Sequence, residues 1–454
     1  MFIRNRLFIL SITLAFLQQI SLALSTYFIA LAGEALSSQR YSSIKAYIIC
    51  FFAFALFAYL VSSAGELLRV RLQNATWKEY VIRTFLSMRK DISLSSSKNN
   101  KMTTSWLTGE AAGTIEHAAA FYIGMFSTYC NIILTLTVFY LTLGYWVSSA
   151  LLTSLIISVL FVFMMRGKID AYATSMQKTK LQALLEVEPL WHNCHFASSK
   201  MFELRRARYS EQSETYFRTT EKYVLLEQII ACLPICAAVL IIIAALYLPS
   251  ESAVPLGVLV AVLPRTLQLF GSVHALSMYG SQFVIVRRKV DNLIQFTRSL
   301  ERQDIASQIN IENISITNVA TCETYELVSF QKKLTKKQLE PGRYLIQGDN
   351  GSGKSSFLKL LKSLPKESVL ISPDINFSEP HENLSTGQRQ MKQILELLAQ
   401  PVDIFLLDEW DANLDKFNRE DLNAEIERIA AGKIVIEVRH MNSRHTEKPV
   451  KTAS

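Results

Sequence analysis

Three short strings in the last quarter of the chain carry residue types that handle phosphate. Gly348-Asp349-Asn350-Gly351-Ser352-Gly353-Lys354-Ser355 has the spacing G-x-x-x-x-G-K-[ST], a loop whose backbone N–H groups close around nucleotide phosphates. In that pattern Gly348, Gly351 and Gly353 let the backbone wrap closely, with Asn350 and Ser356 completing the cradle. Lys354 reaches the β- and γ-phosphates and Ser355 offers its hydroxyl to Mg2+. The apolar string 402–407 delivers Asp408 and Glu409. Asp408 would join the Mg2+ shell, and Glu409, one residue beyond, can polarise an attacking water as general base. His440 follows a second apolar string, where an imidazole can sense or position the γ-phosphate. An acidic pair that only caps a strand, or a histidine that only follows one, would look the same locally. The order of the motifs selects the ATP-hydrolysing reading. The third string, Leu384-Ser385-Thr386-Gly387-Gln388, lies between these two groups.

Such residues need a strand, a glycine loop and a helix in succession. The sequence predicts a buried strand over 344–347 and a helix over 355–361. Further β-branched strings at 309–319, 369–371, 402–407 and 433–438 predict the rest of a sheet. We place a domain boundary near 300–308: 1–302 is one domain, 303–440 an α/β phosphate-loop domain, and 441–454 a polar, frayed tail.

Upstream, the chain is far more apolar. Of 454 residues, 50% are hydrophobic and 19% charged, which is greasier than an ordinary soluble domain. Six apolar runs, roughly 7–32, 46–68, 118–143, 145–165, 223–248 and 253–284, each match the ~20 residues a membrane-spanning helix needs. The first run lacks the features of a cleavable leader. The formal net charge of +8 could suit nucleic acid or anionic lipid. However, the basic residues (Arg69, Arg71, Arg83, Arg89, Lys168, Lys178, Arg205, Arg206 and Arg208 among them) fall in the long loops after the second and fourth runs. That is loop charge on the inner side of a membrane, not a nucleic-acid groove. Both termini and both long loops are therefore expected inside. The run 171–220 predicts two charged helices around Pro189, and 93–101 predicts a turn. Cys232 and Cys236 share one helical face and read as packing residues, with no disulfide framework expected from the six cysteines. His192, Cys194 and His195 read as ordinary helix residues in preference to a metal site.

At this point the chain resembles the ATP-binding cassette exporters over essentially its whole length. Leu384-Ser385-Thr386-Gly387-Gln388 is similar to that family's signature motif, Asn413-Leu414-Asp415 to its D-loop, and 101–116 and 256–296 to its membrane-domain patterns. The resemblance implies a type I/type IV exporter-like half-transporter: six transmembrane helices, a C-terminal cassette, ATP and Mg2+ as ligands, and two cassettes sandwiching two ATPs. In such a sandwich Ser385, Gly387, Gln388 and Asp415 would meet nucleotide bound to a second half-transporter, most simply another copy. Thr386 in place of a glycine, and Trp410 after the carboxylate pair, resemble the cyclic-peptide and siderophore-peptide exporter branch. That implies a small peptide or peptide-derived cargo and a bacterial inner-membrane location with the cassette cytoplasmic. Asp374 would stand where most cassettes use glutamine, touching Mg2+ or water. Tyr325 is the candidate for stacking on adenine. The family inserts a helical subdomain before the signature, and here only about thirty residues separate Lys354 from Ser385. That shortening should weaken the usual contact with the loops of the membrane domain. It also keeps a rival open, an ATP-gated membrane regulator that hydrolyses slowly or not at all. Lipid or drug cargo is a further alternative.

For the transport path, ionisable groups in a membrane face a cavity or a partner. Arg265, beside Pro264, and Gln268 are expected to line a central cavity, with Gln18 a weaker candidate. The competing expectation is that Arg265 pairs with a carboxylate such as Glu227.

Overall fold

A computed structural model describes residues 5–247, 256–364, 367–373, 375, 377, 386–412 and 414–439. The chain divides into two compact units. One comprises 1–83 and 105–296, and the other 84–104 and 297–454.

The first unit is built of long helices. Helix α1 (Arg6–Ser37) starts at Asn5, whose side chain accepts from the Leu7 N–H and satisfies one of the free N-terminal donors. Helix α2 (Tyr41–Met88) runs for 48 residues. Helix α3 (Ser97–Ser105) passes through a π-turn at Trp106–Glu110 into α4 (Ala111–Leu143). Gly144, at φ +82°, makes the tight turn into α5 (Tyr145–Leu185). Helix α6 (Val187–Phe196) carries Pro189 in its first turn, where its missing N–H leaves no bond unmade. Helices α7 (Ser199–Tyr247) and α8 (Leu256–Ser299) follow, and α8 continues through Pro264.

Two expectations are revised here. The span 171–220 forms three helical pieces (the end of α5, α6 and the start of α7) instead of two. The turn expected at 93–101 is largely helical, a 3-10 turn at Ile92–Leu94 leading into α3.

Among the described residues, four helical stretches are long and apolar enough to cross a membrane: Arg6–Ser37, Tyr41–Met88, Ser97–Leu143 and Val260–Ser299. Apolar side chains such as Phe52, Leu56 and Leu60 on α2 stand outward, as a lipid-facing surface requires. Cys232 and Cys236 are also exposed on α7, so they do not pack as the sequence suggested.

Among the described residues, three apolar clusters join the helices, one of them through Leu72 of α2, Ile115 of α4 and Leu293 of α8. Ala30 of α1, Ile132 and Phe139 of α4, and Val262 and Leu269 of α8 share one apolar cluster. Ile169 and Ala173 of α5 meet Tyr223 and Ile230 of α7 in another. Helices α1 and α8 touch backbone to backbone. A Cβ on Gly33 would lie 2.4 Å from the Gly257 carbonyl oxygen, and one on Gly257 would lie 2.4 Å from that of Gly33. The Gly257 N–H also donates to the Ser37 hydroxyl at 3.0 Å.

The second unit is a six-stranded sheet covered on both faces. Its strands are β1 (Ile314–Asn318), β2 (Thr324–Tyr325), β3 (Gly342–Gly348), β4 (Ser368–Ile371), β5 (Ile404–Asp408) and β6 (Ile434–Val438), in the order β2-β1-β3-β6-β5-β4. The pairs β1/β2 and β1/β3 are antiparallel; β3, β6, β5 and β4 run parallel. Parallel strands buried on both faces read as continuous apolar strings, which is why Phe405, Leu406 and Leu407 are fully buried. Helices α9 (Leu327–Thr335) and α10 (Lys354–Lys362) cover one face through Phe330, Phe357 and Leu358. Helices α11 (Thr386–Leu398) and α12 (Lys416–Ala430) cover the other through Ile394, Leu422 and Ile426.

The segment 84–104 belongs to this second unit. Its Ser93 carbonyl accepts from the Gln303 N–H at 3.0 Å, and Asn99 donates to the Glu301 carbonyl at 2.8 Å. Lys98 pairs with Glu301 at 2.7 Å. The 3-10 turn at Ile92–Leu94 packs against α10.

Candidate active site

Strand β3 ends at Gly348 and α10 begins at Lys354, and the loop between them is the glycine string. Gly353 caps α10 at φ +93° and Gly351 lies at φ +82°, conformations that side chains with a Cβ rarely adopt. The glycines differ in what else they do. A Cβ on Gly351 would meet open space. One on Gly348 would lie 2.3 Å from the Asn313 carbonyl oxygen, and one on Gly353 2.3 Å from that of Gln308. Gly348 and Gly353 thus admit the chain segment that leads into β1, a role that the spacing of the motif does not reveal.

The Lys354 ammonium donates to the carbonyls of Gly348 and Asp349, both at 2.9 Å, and so spans the mouth of the loop. The Ser352 hydroxyl is buried there with no hydrogen-bond partner among the described residues. Asn350 is exposed at the loop tip. The Ser356 hydroxyl donates to Gln308 Oε1 at 3.0 Å.

Parallel pairing of β5 with β6 carries Asp408 to the same end of the sheet. The Ser355 hydroxyl donates to Asp408 Oδ1 at 2.9 Å, which brings the two expected metal-binding groups together. Glu409, the next residue, takes φ +43°. Its N–H donates to the Val438 carbonyl and its own carbonyl accepts from the Ala412 N–H, each at 3.0 Å.

The remaining expected residues are spread over both faces. Gly387 and Gln388 lie in the first turn of α11. Asp415 caps α12, accepting from the Asn418 N–H at 2.8 Å and from its side-chain amide at 2.9 Å. Tyr325 stands on the edge strand β2 with its ring against Phe330 and Tyr344 and the Lys333 ammonium over it. Its hydroxyl donates to Glu323 at 2.6 Å, and that bond pushes the phenol up to about 12. His440, Asp374, Ser385 and Asn413 lie outside the described residues.

Motif reasoning missed the charged network beneath Glu409. Arg343 on β3 and Glu437 on β6 form two hydrogen bonds of 2.9 Å inside the sheet unit, and the Trp410 indole donates to Glu437 at 3.0 Å. The one signal in the sequence was a tryptophan directly after the carboxylate pair.

In the helical unit, Arg265 is 9% exposed. It donates to Gln268 on its own helix at 2.6 Å, and to Asn131 and Thr135 of α4 at 2.6 and 2.9 Å. Its Nε has no partner among the described residues. The pairing with Glu227 considered from the sequence is not made. Glu227 instead accepts from Ser281 at 2.8 Å, Gln282 at 3.2 Å and Tyr223 at 3.4 Å. Gln19 is buried and donates to Ser127 at 2.8 Å.

No protein-family model matches the chain, and no curated protein matches it. A solved structure does: "Structure of a bacterial Atm1-family ABC exporter with ATP bound", with a TM-score of 0.60 at 15% identity over 96% of this chain and 90% of that one. Long helices followed by a mixed sheet with a glycine loop define the class: the chain has the fold of an ABC exporter.

Proposed function

We propose that the protein is an ATP-driven exporter working as a pair of half-transporters, most simply two copies of this chain, in a bacterial inner membrane. On this reading six helices span the bilayer and the cassette with both termini is cytoplasmic. The observation that carries it is the meeting of Ser355 with Asp408 beside the Lys354 loop, within a chain of exporter fold.

The residues present fit a nucleoside triphosphate with a divalent cation. The Ser352 hydroxyl lacks a partner among the described residues, and Gly351 leaves space where a Cβ would point. Lys354 can exchange two neutral carbonyls for phosphate oxygens, which are stronger acceptors for an ammonium. The α10 N-terminus adds its dipole. Ser355 and Asp408 would hold Mg2+, which when bound offsets charge developing on the transferred phosphate. Glu409 then takes the proton of the attacking water, with His440 positioned near the γ-phosphate. Asp374 would serve the Mg2+ or water side, Tyr325 would border the base, and Ser385, Gly387, Gln388 and Asp415 would face nucleotide held by the partner copy.

Arg265 and Gln268 would line the transport path. A guanidinium held by neutral acceptors keeps its charge uncompensated, so the cargo group it meets would be an acceptor. Thr386 and Trp410 support a small peptide or peptide-derived cargo. The test is ATP hydrolysis by the full chain in lipid nanodiscs, wild type beside Glu409→Gln. Turnover that the variant loses supports the proposal. Equal, negligible rates in both favour the ATP-gated regulator, the reading that the short interval between Lys354 and Ser385 supports.

A further inference from the structure

Trp410 sits where three parts of the sheet unit meet. It is 1% exposed, and its indole N–H donates to Oε2 of Glu437, itself 1% exposed, at 3.0 Å. Its carbonyl accepts from the Gln390 side chain at 3.1 Å. Gln390 belongs to α11, the helix that begins at Thr386 inside the signature string. On its N-terminal side Trp410 is bonded to Glu409, whose φ of +43° no ordinary strand or helix would supply.

That dihedral is held from both ends. Upstream, Asp408 pairs with Val438 in the sheet and the Glu409 N–H is tied to the Val438 carbonyl. Downstream, the Glu409 carbonyl accepts from the Ala412 N–H, and the next residue is held by its buried indole. Glu437 cannot drift, because Arg343 grips it through Nε and Nη2 and Arg439 adds a bond at 3.0 Å. The Arg439 guanidinium also lies 5.6 Å from the Trp410 ring centre, within cation–π range. Around the indole, Ile394 and Leu398 of α11 share one apolar cluster with Trp410 and Leu407. The phosphate-loop helix α10 packs on the opposite face, in a separate cluster.

We infer that Gln390, Trp410 and Glu437 form a positioning chain that ties the seating of the signature helix to the backbone of Glu409, and so sets the rate of ATP hydrolysis without setting ATP affinity. This rests on the reading of Glu409 as general base. None of the three residues touches nucleotide in that reading. A carboxylate displaced by a fraction of an ångström loses turnover, whereas the phosphate cradle stands on different contacts.

The experiment uses the full chain in lipid nanodiscs, with steady-state ATPase, affinity for trinitrophenyl-ATP and Tm read for each variant. Gln390→Leu is expected to lower kcat by about 10- to 100-fold, while KM and analogue affinity stay within about twofold of wild type. Gln390→Lys, which keeps a donor at similar reach, is expected to recover most of the turnover. Trp410→Phe, which removes the indole N–H, should lose kcat in the same way. Wild-type kcat in Gln390→Leu and Trp410→Phe overturns the inference when Glu409→Gln is inactive. So does a loss of affinity and Tm that parallels the loss of kcat. Full turnover in Glu409→Gln, or none in the wild type, removes the underlying reading and the inference with it.

Discussion

Arg343 and Glu437 lock together inside the sheet unit through two parallel hydrogen bonds of 2.9 Å, with both side chains almost wholly buried. The guanidinium fork matches the carboxylate geometrically, and Asn423 of α12 accepts from the remaining Nη2 side at 2.9 Å. Strands β3 and β6 are thereby pinned behind the glycine loop and Glu409.

Arg343→Leu leaves the Glu437 carboxylate buried without its principal partner, which should cost about 3–5 kcal/mol. A lowered denaturant midpoint for the sheet unit, with Arg343→Leu/Glu437→Leu recovering part of the loss, checks this. An unchanged midpoint in the single variant would show that the pair contributes nothing.

The loop glycines should respond unequally. Gly351→Ala meets open space and carries only backbone strain of about 1–2 kcal/mol. Gly353→Ala carries similar strain and also forces the Gln308 carbonyl away. Melting temperatures should therefore rank wild type, Gly351→Ala, Gly353→Ala in descending order.

Lys354→Ala should abolish retention of labelled ATP by the protein in nanodiscs. Ser355→Ala and Asp408→Asn should instead leave ATP binding measurable while raising the Mg2+ concentration needed for half-maximal turnover. A magnesium dependence unchanged in both variants would dissolve the proposed metal pair.

Arg265→Ala should change how cargo stimulates the ATPase while basal ATP binding stays as in the wild type. Stimulation identical to wild type would remove Arg265 from the transport path and leave it as a clamp between α4 and α8.

Tyr325 allows a pH test. Its phenol is raised from 10.0 to about 12, chiefly by the bond to Glu323, so the folded chain binds that proton more tightly than the unfolded one. The stabilisation is complete below about pH 10 and is lost as pH rises through about 12. Tyr325→Phe should flatten that part of the stability profile and leave KM for ATP unchanged, whereas Tyr325→Ala should raise KM if the ring borders adenine.

The parallel strands were legible because strands buried on both faces leave unbroken apolar strings: β6 falls within the predicted 433–438, and β5 runs one residue past the predicted 402–407. The glycine loop between β3 and α10 was legible because its glycines and lysine are adjacent in sequence. Arg343 and Glu437 were not, since they lie 94 residues apart and periodicity treats both as surface charges. The Asn131–Arg265 contact spans 134 residues and escaped for the same reason. Of the site, Ser355 and Asp408 meet as their motifs imply. The demands on Gly348 and Gly353 arise from a neighbouring segment that no motif describes.

The paired glycines at 33 and 257 leave no gap between their two helices into which a side chain could be wedged. Prising that seam apart would strip the Gly257 amide of its hydroxyl acceptor. The first and last of the long helices described should therefore travel as one rigid plank.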